Sequence, residues 1–132
     1  MNDLAAFLNA RLDEREAAAK AAARQSGKDW DAASQGSGRE RDGVLWDEDH
    51  ANVIAWFDSE IEAATHAARH DPRRVLREVE ADRAMLAEYG RLQASYGGRA
   101  RDDRLALSIW YRVLVFRAAV YRDHPDYDEA WR

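Results

Sequence analysis

The tripeptide His70-Asp71-Pro72 sets the tightest single limit on how this chain can fold. Proline has no backbone N–H and pushes the residue before it out of the helical region, so no helix can run straight through this point. The same residues are well suited to starting a new helix. Aspartate is a strong N-cap, and proline fits the first helical position, where a missing N–H costs nothing. The sequence therefore predicts a short helix over 59–69 and a longer one from Pro72 to about Ser95. Asp58 or Ser59 caps the first, with Glu62 placed for a capping box. Val75, Leu76, Val79, Leu86, Tyr89 and Gln93 follow helical spacing along the second, and Gly97-Gly98 ends it.

Two further helices follow from periodicity. Over 2–25, Leu4, Phe7, Leu8 and Leu12 recur at helical spacing, Asn2 or Asp3 supplies a cap, and Glu16 and Lys20 form an i,i+4 pair. Over 102–122 the helix is apolar on most sides. Arg104, Ser108 and Arg112 make its polar stripe, while Ile109, Trp110, Val113, Leu114, Phe116, Val120 and Tyr121 surround the rest. Such a helix is central in a core or covered by another chain. Trp110, Val113 and Leu114, with Arg112 and Arg117, are the candidate interaction residues, including for a homodimer through helix 102–122.

Between the helices, 26–43 is rich in glycine and serine and reads as a flexible loop, with Trp30 opening a short edge strand over 31–33. Two apolar runs, 44–46 and 53–57, flank the polar stretch 47–52 and predict a β-hairpin anchored by Trp46 and Trp56. The tail 122–132 predicts a turn that returns Trp131 to the core. The expected fold is α+β and helix-dominated, with about four main helices and a small antiparallel β-hairpin. At 132 residues, one domain over 1–132 is the expectation.

Composition narrows the chemistry. Cysteine is absent, which removes disulfides, thiolate zinc sites, iron–sulfur clusters and thiol catalysis together. The net charge is −5, unevenly spread. Residues 39–62 hold two arginines and eight acids, whereas 99–122 hold six arginines and two acids. An acidic whole argues against general nucleic-acid binding, which draws its affinity from phosphate neutralisation. The start of the chain lacks a basic and then apolar leader, and arginines interrupt the most apolar run, so neither a signal peptide nor a spanning helix is expected. A cytoplasmic location is the expectation.

Few constellations carry chemistry. His66 and His70 lie four apart, a metal-ligand spacing, and His124 is the third metal candidate, with His50, Asp49 and Asp126 as other donors. Ala67 stands where a zincin would carry glutamate. Asp47, Glu48 and Asp49 beside His50 form an acidic cluster that lacks the spacing of a calcium loop. The glycines near Ser37 lack the pattern of a phosphate loop, and Ser108 has no evident base. No catalytic residue and no cofactor is assigned.

Three patches carry a resemblance. The most specific runs from His66 through Ala68, Arg69, His70, Asp71 and Pro72 to Arg74, Val75, Leu76, Arg77, Glu78, Val79, Glu80 and Ala81. The others are 3–22 and 121–131. Together they resemble a small uncharacterised actinobacterial family of unknown function, found in Streptomyces and associated phages or mobile elements. Lys28-Asp29-Trp30 departs from that family's frequent Gly-Pro-Trp, and the cysteines some members carry before the tail are missing here. The resemblance implies a cellular setting and no activity.

The expectation is a non-enzymatic cytoplasmic accessory protein, of phage or mobile-element association, that acts by binding another protein. The alternative is a nucleic-acid-associated regulator using the arginines of helix 102–122. A third reading is a metal-dependent enzyme using His66 and His70. No membrane association is expected.

Overall fold

The structure is a computed structural model, and it describes residues 2–35, 42–57, 61–96 and 101–132. In chain order the elements are α1 (Asn2–Ser26), β1 (Asp31–Gln35), β2 (Asp42–Trp46), β3 (Val53–Phe57), α2 (Ile61–Ala68), α3 (Pro72–Ser95) and α4 (Arg101–Ala118). Two short 3-10 turns follow, at Ala119–Tyr121 and Glu129–Trp131. The fold is α+β and helix-dominated, with four helices and one antiparallel sheet. The chain divides into two compact units: Glu14–Val79, and Met1–Asp13 with Glu80–Arg132. Helices α1 and α3 each contribute to both.

The contiguous unit is built on the sheet, whose strand order is β1-β2-β3. The expected hairpin is its β2–β3 half. Strand β1 lies within the stretch read as flexible loop and extends the short edge strand expected at 31–33. Its sequence, Asp-Ala-Ala-Ser-Gln, carries no strong alternation of its own, so pairing with β2 holds it: Ala32 sits opposite Leu45 and Ala33 opposite Val44. In β2, adjacent Val44 and Leu45 are both buried. Neighbouring residues point to opposite faces of a sheet, so both faces of the central strand are covered there. Helix α2 packs on the sheet, chiefly over β1 and β2, with Ala64 fully buried. The register shifts between Leu45 and Trp46, which pair with Ala55 and Val53, leaving Ile54 as the extra residue of a bulge. Trp46 is half-buried, but Trp56 is 57% exposed on edge strand β3 and does not anchor the hairpin as expected.

Helix boundaries follow the capping logic. Gly27 ends α1 with φ +73°, and its N–H donates to the Ala23 carbonyl at 3.0 Å, the single-bond left-handed cap. Asp71 caps α3, its carboxylate accepting from the Arg74 N–H at 2.7 Å, with Pro72 buried at the first helical position. The expected cap residues Asp58 and Ser59 and the Gly97-Gly98 stop fall outside the described residues.

The second unit has an aromatic core. Leu4, Phe7 and Leu8 of α1, Tyr89 of α3, Leu114 and Ala118 of α4, and Trp131 form one buried cluster. Phe7 is its hub, with ring centroids 5.0 Å from Trp131, 6.0 Å from Tyr127 and 6.1 Å from Tyr121. Trp131 returns to the core as expected, and the turn bringing it there is capped by Asp128, which accepts from the Ala130 N–H.

Candidate functional site

The acidic cluster at 47–50 turns out to build the hairpin turn. Asp47 Oδ1 accepts from the backbone N–H groups of Ala51 and Asn52, and its Oδ2 accepts from the Asn52 side chain at 2.8 Å. These bonds favour the ionised form and hold the Asp47 carboxyl below the usual carboxylate range, the Asn52 side chain contributing most. Glu48 accepts from the Lys28 N–H, and His50 bonds Asp31 at 2.9 Å. Each of these three groups is spent on local structure.

His66 and His70 do meet. Their rings lie edge to face with centroids 4.8 Å apart, His66 on α2 and His70 in the turn before Asp71. His70 also borders an open groove of about 250 Å³ in the same unit, lined by Ala18, Ala22, Trp30, Pro72 and Val75 among others. The buried Trp30 Nε1 has no hydrogen-bond partner among the described residues. His124 belongs to the other unit. There it sits in the core's polar margin, edge to face with Phe7, beside the guanidinium of Arg11, its Nδ1 accepting from the Asp126 N–H at 3.1 Å. A ring nitrogen that accepts a backbone N–H has its lone pair committed to that bond. Among the described residues, no group of three or more His, Cys, Asp or Glu side chains is placed to hold a metal ion.

Among the described residues, four of the five exposed large apolar side chains lie between Leu105 and Val120. The structure divides the sequence-predicted interaction residues between interior and exterior. Leu114 is 1% exposed in the core, Trp110 packs against that core, and Arg117 pairs with Asp82 of α3. Val113 is half-buried, and of this set only Arg112 is exposed. Residues outside that set face outward instead: Leu105 at 60%, Ile109 at 54%, Phe116 at 66% and Val120 at 68% exposure. Leu105, Ile109, Arg112 and Phe116 recur at intervals of four, three and four, one side of α4, and Val120 follows in the 3-10 turn Ala119–Tyr121. Beside them two shallow concavities, about 390 and 310 Å³, share Val115, Phe116, Trp131 and Arg132 in their lining. Arg112 borders the first and Arg122 the second. Arg104, Arg112 and Arg122 make no ion pair among the described residues.

The fold and this surface define a small α+β protein whose most distinctive feature is an exposed apolar and basic helix face. The chain belongs to the family described as a family of unknown function (DUF6221), whose model matches residues 1–132. No curated protein and no solved structure is significantly similar to it.

Proposed function

We propose that this is a non-enzymatic accessory protein that acts by binding another protein through the outer face of α4. The observation that carries this reading is the row of large apolar side chains left in solvent on one helix. Isolated apolar residues on a surface are ordinary, but a contiguous apolar row on an otherwise polar molecule is a typical interaction site. The actinobacterial and phage or mobile-element setting, suggested by the sequence resemblance, and a cytoplasmic location, suggested by the lack of a leader-like or spanning pattern, belong to the same proposal. Among the described residues no helix is long and apolar enough to cross a membrane.

The test compares proteins captured from host cells by the unaltered chain and by Ile109→Glu and Phe116→Glu variants. Both sites are exposed, so circular dichroism should be unchanged. A partner retained by the unaltered chain and lost by both variants supports the reading; equal recovery overturns it.

A second reading rests on Arg104, Arg112 and Arg122, which have no acidic partner among the described residues. They give a nucleic-acid-associated regulator its contact surface. A low-salt gel shift tests it, since phosphate contacts bind there and weaken steeply as salt rises. The third reading, a metal-dependent enzyme, rests on the adjacent His66 and His70 rings. Stoichiometric zinc, nickel or manganese in the purified protein would favour it.

A further inference from the structure

Resting on the protein-binding reading, we infer that the α4 face takes an acidic amphipathic helix from a different protein, rather than a second copy of this chain. The argument begins with charge. From Arg104 to Arg122 the sequence holds four arginines and no acid. The acids of α4 are confined to its first turn, Asp102 and Asp103, and Asp123 lies beyond the 3-10 turn. Of the four arginines, Arg117 alone is in an ion pair among the described residues.

The apolar row adds geometry. Leu105 and Ile109 precede Arg112 and Phe116 and Val120 follow it, so the exposed guanidinium lies near the middle of the row. A second copy packed face to face, whether parallel or antiparallel about that midpoint, would bring Arg112 against Arg112. Like charges placed together at an interface are costly and select against that pairing. A partner helix with apolar residues at intervals of three and four and a carboxylate at its centre meets the same face with complementary charge. The concavities beside Phe116, floored by Trp131 and edged by Arg112, Arg122 and Arg132, provide room for one large apolar anchor with acids around it. Arg132 is already paired with Glu129 at 2.7 Å, which leaves Arg112 and Arg122 as the cations of this edge with no acidic partner among the described residues. Interleaved aliphatic and aromatic side chains suit such a helix better than a phosphate backbone, which has no apolar row to match.

The experiment places the photocrosslinker p-benzoylphenylalanine at Ile109 or Phe116 of the full chain, expressed in its native host. Exposed Ala87 on α3 is the control position. Adducts are digested and the attached segment is sequenced. The expected result is a segment of another protein that is net acidic and apolar at helical spacing, absent from the control. Arg112→Glu should lower its yield about tenfold, the factor expected for reversing one central interface charge, while Arg112→Lys retains most of it. A protein segment that is neutral or basic overturns this inference and leaves the protein-binding reading standing. A cross-link to the chain's own α4 overturns it in favour of a homodimer. Adducts only to nucleic acid, or no adduct from either position, overturn both.

Discussion

At the scale of single residues, Gly27 is the most constrained position. Its φ of +73° is one that L side chains rarely adopt, and a Cβ built there would lie 2.7 Å from the Glu48 Cβ. The left-handed conformation alone costs a non-glycine residue about 1–2 kcal/mol. Gly27→Ala should therefore lower stability by at least that much, seen as a lower denaturant midpoint with unchanged slope. Glu78 gives a pH prediction. Its hydrogen bond from Arg74, helped by Arg15, holds its carboxyl below the ordinary glutamate value. A depressed carboxyl stabilises the fold above its unfolded value, and that contribution fades as pH falls through the folded value. Glu78→Gln should make the acid limb of a stability–pH curve shallower. The side chain is 37% exposed, so the difference should be a few tenths of a kcal/mol. Sequence alone was informative where a residue's own chemistry decides its place, as at Asp71-Pro72. It was not where a neighbour decides, as at Asp47, whose carboxylate looked like part of an acidic cluster and is a turn brace.

At the scale of elements, the helices were legible because their apolar spacing and caps act locally. Asp71→Ala should test this directly: losing the N-cap of α3 costs about 1 kcal/mol by thermal or denaturant unfolding. Strand β1 was only half legible, since its small polar residues become a strand through pairing with β2. Helix α4 shows a different limit. Its apolar residues were visible, but a helix apolar on nearly every side does not reveal which of them face inward. Leu114 and Trp110 go to the core, and Ile109 and Phe116 go to solvent, because Phe7, Tyr89 and Trp131 arrive from distant parts of the sequence.

At the scale of the whole molecule, the aromatic core depends on Trp131. Trp131→Ala removes a side chain only 7% exposed and should cost about 3–5 kcal/mol, with hydrogen-exchange protection lost from α4. That core is also assembled from two separated stretches, 1–13 and 80–132. The other unit, 14–79, is a single run that can close as soon as it has been made. At ordinary elongation rates the opening turns of α1 must wait through roughly a hundred further residues, on the order of ten seconds, before Trp131 emerges. Leu4, Phe7 and Leu8 are thus made well before the residues that shelter them. During biosynthesis, this stretch offers to chaperones an apolar surface that the finished fold conceals.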